Sequence, residues 1–197
     1  MVPDAIDREL VPYNPTVLEK VRRDLHLGDS LVVGHVGRFM YQNNHSLLLD
    51  WCACLLQKAP NARRLLVGDG AGRTAAENRA KELAMGNSIL FLGLRRDVCN
   101  LYQAMDVFAL PSHYEGLPVV GVEAQASGLQ VLCSVLITRD ASLPGNSCFL
   151  SLFVGPATWA DSSILPSKRA RHPTVISYSI RVEGHTLPPS CLQQTKE

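Results

Sequence analysis

Residues 106–128 read DVFALPSHYEGLPVVGVEAQASG. The apolar run from Asp106 to Leu110 has the length and composition of a buried strand, and Pro111, Ser112 and the Glu115-Gly116 pair end it. Pro118 then opens a helix, because a proline in the first turn gives up only an N–H that would have had no partner there. A strand, a tight loop and a helix mouth in that order leave the N–H groups around Leu117 to Val120 and the positive end of the helix dipole facing the loop. Such a place attracts phosphate. Glu115 lies in the loop, and Glu123 follows about two helical turns further on, so both can border one cleft. A carboxylate is a poor partner for phosphate but a good acceptor for paired sugar hydroxyls. The combination implies a phosphorylated, hydroxyl-rich ligand of the nucleotide-sugar kind.

Outward from this stretch, strand and helix alternate. Thr16 to Leu27 carries apolar residues at helical spacing (Val17, Leu18, Val21, Leu25), and Gly28 ends it. Leu31 to Val36 suits a buried parallel strand and runs into Gly37-Arg38-Phe39. Asn44 or Ser46 caps a helix whose apolar positions are Leu47, Leu48, Trp51 and Leu55, and Pro60-Asn61 breaks it. Arg64 to Val67 is a second strand, ending in Gly68-Asp69-Gly70; Arg73 to Met85 is helical; Ser88 to Leu92 is a strand that stops at Gly93. Asp97 caps a helix to about Ala104. Beyond residue 128, Gln130 to Val135 and Phe149 to Phe153 read as strands, and Ala157 to Leu165 as a short helix containing Trp159. This alternation argues for an α/β, Rossmann-like parallel sheet with helices on both faces. Ligands of such sheets bind beyond the carboxyl ends of the strands, where Gly37-Arg38, Gly68-Asp69-Gly70, Gly93 and Glu115 collect. The organisation expected is a lead-in over 1–15, one domain over 16–165, and a proline-punctuated, irregular tail over 166–197.

Composition narrows the alternatives. Hydrophobic residues make up 46% and charged residues 19%, a globular balance, and a net charge of +1 gives no general attraction to nucleic acid or membranes. The basic run Lys168-Arg169-Ala170-Arg171-His172 reads as a solvated surface, since no aromatic residues interleave it. Six cysteines without a C-x-x-C pair fit a reduced, cytoplasmic compartment, and no apolar stretch approaches the roughly 20 residues of a membrane span. There is no D-x-D pair for a metal diphosphate and no histidine cluster, so neither metal nor cofactor is expected. The G-x-S-x-G elbow and the G-x-x-x-x-G-K-[ST] loop are also missing, which removes hydrolase and P-loop readings.

The Glu115-Gly116-Leu117-Pro118 element, with Glu123 eight positions after Glu115, resembles the donor-site signature of glycosyltransferase family 4, retaining enzymes of the GT-B fold. The resemblance implies the C-terminal, donor-binding half of such an enzyme, transferring a sugar from a nucleotide-sugar, a uridine diphosphate donor, to a saccharide or lipid-linked acceptor in polysaccharide synthesis. It implies that Glu115 touches the donor sugar near the reacting carbon, that Glu123 holds the ribose hydroxyls, and that Gly116, Leu117, Pro118 and Val119 line the donor site. Gly37-Arg38-Phe39 resembles the family's G-R-F, whose arginine stabilises the leaving diphosphate with a lysine five residues later; Arg38 matches, and the lysine position is Asn43. Gly93-Leu94-Arg95-Arg96-Asp97 resembles the F-L-G-x-R-x-D loop at the nucleotide base, which places Arg95 beside it. Val2-Pro3-Asp4-Ala5-Ile6-Asp7 resembles the segment that joins the two halves of such enzymes, so the expectation is a chain beginning at that linker. Such enzymes often work at the inner membrane surface. The alternative is a truncated or split module that binds a nucleotide-sugar without turnover, with a separate acceptor domain or self-association covering the exposed face.

Overall fold

The computed structural model describes residues 13–139 and 146–164, and the backbone alone of 181–182 and 185–186. The lead-in up to residue 12 and the basic run Lys168 to His172 lie outside the described residues. In chain order the main elements are α1 (Pro15–Asp24), β1 (Val32–Val36), α2 (His45–Lys58), β2 (Arg63–Val67), α3 (Arg73–Glu82), β3 (Ile89–Gly93), α4 (Val98–Ala104), β4 (Val107–Leu110), α5 (Val119–Ala126), β5 (Gln130–Ser134), β6 (Ser147–Leu150) and α6 (Pro156–Ile164). Of the tail, only a two-residue antiparallel ladder, Arg181–Val182 against His185–Thr186, is described.

The larger sheet is parallel throughout, in the order β3-β2-β1-β4-β5-β6. The chain builds outward from β1 through β2 to β3, then returns to the far side of β1 for β4, β5 and β6. The reversal between β1 and β4 is a topological switch point, where the loops leaving two neighbouring strands diverge and open a crevice. One apolar layer, with Leu48, Trp51, Leu55, Ala76, Ala80 and Trp159, packs α2, α3 and α6 on one face. A second, with Leu101, Tyr102, Ala124 and Leu129, packs α1, α4 and α5 on the other. Trp51 donates its indole N–H to Ser163 Oγ at 2.9 Å, so α2 and α6 meet through a satisfied polar contact inside an apolar layer. Asp106 joins the two ends of the switch: its Oδ2 accepts from Val32 N at 2.8 Å and pairs with Arg22 at 2.7 Å.

Helix ends differ from the sequence reading where a left-handed residue other than glycine closes them. α1 stops at Asp24 rather than Leu27, because His26 takes φ 53° while Leu27 N–H reaches Arg22 O and His26 N–H reaches Arg23 O. This is the Schellman closure. α3 stops at Glu82 rather than Met85 by the same device, with Ala84 at φ 51°. Asn44, one of two candidates, caps α2 by accepting from Leu47 N. Asp97 stands at the cap position of α4 but its side chain does not cap. The last strand of the large sheet comes earlier than read: β6 covers Ser147–Leu150, and Phe153 lies past it at 95% exposure.

Candidate functional site

The loop after β1 is laced to the loop after β2. Gly37 N donates to Val67 O at 2.9 Å, Phe39 N to Asp69 O at 3.0 Å, and Gly72 N to Phe39 O at 2.9 Å. The glycines of Gly68-Asp69-Gly70 permit this approach: their φ values are 135° and 154°, and a Cβ would fall 2.1 Å from Gly37 O and 2.6 Å from Phe39 O respectively. Phe39 is buried and stacks on His45 with ring centroids 4.1 Å apart. With that anchor below it, Arg38 is exposed, and its guanidinium has no ion pair or hydrogen bond among the described residues. Asn43 does not accompany it at the surface. It is 7% exposed, and its Nδ2 donates to the Arg38 carbonyl at 2.6 Å. In the structure Asn43 is a brace for the Arg38 backbone, where its register had suggested a contact with the donor.

Two histidines support the same loop from below. His35 on β1 shares a hydrogen bond between Nδ1 and Ala109 O at 2.9 Å, which ties β1 to β4. Burial pushes His35 down to about 4 and His45 down to about 3, so both rings are neutral at pH 7. Their Nε2 atoms are buried without a hydrogen-bond partner among the described residues.

Across the switch point, the loop after β4 presents Glu115. Ser112 is fully buried, and His113 N donates to Gln42 O at 2.8 Å. The His113 ring stacks on Tyr41 at 4.5 Å, and Gln42 Nε2 donates to Glu115 Oε2 at 3.0 Å. Gly116 and Leu117 are exposed, while Pro118 and Glu123 are buried. Pro118 takes the cap position rather than the first helical one, with φ −76° and ψ 85°, and Val119 N–H closes on Leu117 O at 3.0 Å. That inverse γ-turn occupies the Val119 N–H, and proline has none. The N–H groups of this stretch open to an anion therefore narrow to Leu117 and Val120 at most.

Glu123, on the second turn of α5, is 5% exposed, and its Oε2 accepts from the hydroxyl of Tyr102 on α4 at 3.0 Å. Arg95 is engaged in a way its sequence context did not indicate. It binds Asp97 in a fork, Nε to Oδ1 at 2.8 Å and Nη2 to Oδ2 at 2.7 Å, which holds the Asp97 carboxyl below its usual range. Arg95 is thus a guanidinium already paired, beside an exposed Leu94.

A cleft of about 760 Å³ opens against Tyr41, His113, Phe39, Met40, His45 and Ala75. Arg38, Glu115 and Glu123 do not line it. Among the described residues, no three His, Cys, Asp or Glu side chains gather as a metal site, and no helix is long and apolar enough to cross a membrane. Gln42 and Tyr102, the two side chains that hold the glutamates, were not singled out from sequence, because their roles depend on contacts between elements that meet only in the fold.

Comparison with known proteins converges on one group. Residues 18–138 match the sequence family described as Glycosyl transferases group 1. A Bacillus subtilis protein named "Putative glycosyltransferase EpsF" is 39% identical over 166 residues, which cover 82% of this chain and 43% of that protein. The D-inositol 3-phosphate glycosyltransferase of Corynebacterium urealyticum is 31% identical over 173 residues, covering 82% and 41%. Among solved structures, Anabaena HepE in complex with UDP-glucose superposes with a TM-score of 0.71 at 24% identity, covering 79% of this chain and 44% of that one. The chain spans less than half the length of these relatives.

Proposed function

The chain belongs to the group 1 glycosyl transferases, and from that premise we propose that it is the donor-binding half of a retaining GT-B enzyme. In this reading a sugar passes from a uridine diphosphate donor to a saccharide or lipid-linked acceptor in polysaccharide synthesis, in the cytoplasm and against the inner membrane where the acceptor is lipid-linked. The HepE complex with UDP-glucose, a protein of the same fold, supports a uridine donor. The observation that carries the reading is Arg38, an exposed guanidinium without a counter-charge among the described residues, across the switch point from Glu115 and the mouth of α5.

As the bond from the anomeric carbon to the diphosphate breaks, negative charge grows on the departing phosphate oxygen. Arg38, the Leu117 and Val120 N–H groups and the α5 dipole are placed to stabilise it. Glu115 accepts from hydroxyls of the sugar. Glu123, held by Tyr102, accepts from the ribose. The nucleotide-sugar is the substrate, and the reading includes no metal and no cofactor. Calorimetric titration with UDP tests it: Glu123→Ala and Arg38→Ala each weaken binding about tenfold or more, the scale of a lost charge-assisted hydrogen bond. Variants that bind UDP as tightly as the unaltered chain would overturn the assignment.

A second reading, a nucleotide-sugar-binding module without turnover, is favoured by Asn43, which offers no second cation and is buried against the Arg38 backbone. Release of UDP from UDP-sugars in the presence of acceptor saccharides decides between them. Release above the uncatalysed rate supports the transferase, and tight binding without release supports the module.

A further inference from the structure

One residue outside the candidate site residues fastens the two switch-point loops to each other. Gln42 accepts the His113 N–H at its carbonyl, at 2.8 Å, and donates its own Nε2 to Glu115 Oε2 at 3.0 Å. Beside it the Tyr41 and His113 rings stack with planes 13° apart. We propose that Gln42 is a positioning residue for Glu115: its amide holds one carboxylate oxygen so that the other is presented to the hydroxyls of the donor sugar. The inference rests on the donor-site reading above.

Two features make Gln42 suited to this. It lies in a short 3-10 turn, Tyr41–Asn43, that is held by the buried Asn43 at 7% exposure and, three residues before Gln42, by the buried Phe39 at 1%. Its amide therefore projects from a fixed point, while Glu115 is a loop side chain that would otherwise lose rotamer freedom when a ligand bound. An amide donor also leaves the Glu115 charge intact. A lysine or arginine at the same place would neutralise the carboxylate and weaken it as an acceptor for sugar hydroxyls. The role falls on the sugar half of the ligand, and the diphosphate half is left to Arg38.

The readout is the ratio of affinities for a UDP-sugar and for UDP, taken by calorimetry with UDP-glucose, UDP-galactose and UDP-N-acetylglucosamine, using the sugar with the largest increment. In Gln42→Leu the ratio falls about tenfold while UDP affinity stays within about twofold, which also shows that the site remains folded. In Gln42→Glu two carboxylates lie side by side and repel at pH 8. On acidification they share a proton, and the protonated Glu donates to Glu115 as the amide did. The ratio, measured against the unaltered chain at the same pH, is lost at pH 8 and regained by about fivefold at pH 5. A merely structural role for Gln42 gives no such recovery. A sugar increment absent from the unaltered chain, or left intact by both variants, overturns the inference while UDP binding upholds the donor site. Loss of UDP binding by the unaltered chain overturns both.

Discussion

Arg64 should weaken this fold, and its removal should stabilise it. The side chain leaves β2 into the layer beneath α2 and is 1% exposed, with Nη1 and Nη2 lacking any hydrogen-bond partner among the described residues. Its compensation is slight: Nε reaches Cys52 Sγ, and the guanidinium carbon lies 5.8 Å from the Trp51 ring centre. Burial raises the Cys52 thiol more than Arg64 lowers it, so the sulfur is a neutral acceptor and not a counter-ion. A buried, unpaired ion costs several kcal/mol, against about 2 kcal/mol from a desolvated cation–π contact. Arg64→Met keeps the unbranched stem, removes the charge and both unpaired nitrogens, and should raise the unfolding free energy by about 2–4 kcal/mol. Urea denaturation at pH 7 reads this directly, and the thermal midpoint should rise by roughly 2–4 °C per kcal/mol. Arg64→Lys, which keeps the charge, should give no gain. A methionine variant less stable than the unaltered chain would refute the reasoning, since it would mean that the guanidinium is well paired in the native state.

Other perturbations test the scaffold around the site. His35 and His45 are held neutral at about 4 and about 3, whereas the unfolded chain titrates both near 6.5. Below that pH the unfolded state binds more protons than the native one, so stability is full above about pH 6.5 and falls as the pH drops toward 4, by up to ~2.7 kcal/mol per pH unit for the pair. Urea midpoints at pH 7, 6 and 5 check the slope, and equal midpoints would contradict it. Ala84→Gly, at φ 51°, should stabilise by about 0.5–1 kcal/mol in the same assay, because it relieves a left-handed backbone at the end of α3. Ser163→Ala leaves the Trp51 indole N–H unpaired in the core and should cost about 1–3 kcal/mol; a neutral effect would mean that the bond contributes nothing to the α2–α6 contact.

The parts of the fold legible from sequence were those set by local chemistry. Apolar runs such as Val107–Leu110, which Pro111 ends, and Val131–Ser134 read as strands because a parallel sheet buries both of their faces. Gly128 closes α5 at φ 81°, a conformation glycine adopts freely, whereas His26 and Ala84, which close α1 and α3 in the same geometry, carry no local sign of it. Their left-handed conformations are imposed by the closure and by the packing of Leu27 and Met85, both buried. Pro118 was one position early for the same kind of reason: its γ-turn belongs to the loop, not to helix propensity. Within the site, Arg38, Glu115 and Glu123 announce themselves through motif and spacing. The register also pointed to Asn43, but not to its bond with the Arg38 carbonyl five residues back, and Gln42 and Tyr102 went unnoticed because each acts on a glutamate brought near only in the fold. Asp97 was read as a cap because aspartate often caps, and the adjacent Arg95 claimed its carboxylate instead.

The most direct test of the donor site is amide chemical-shift mapping of the ¹⁵N-labelled chain titrated with UDP. The account predicts perturbations at Arg38, Leu117, Val120 and Glu123, around the crevice between β1 and β4. Perturbations confined to Leu49, Ala75, Ala76 and Arg79 in the large cleft, with Leu117, Val120 and Glu123 unmoved, would contradict it.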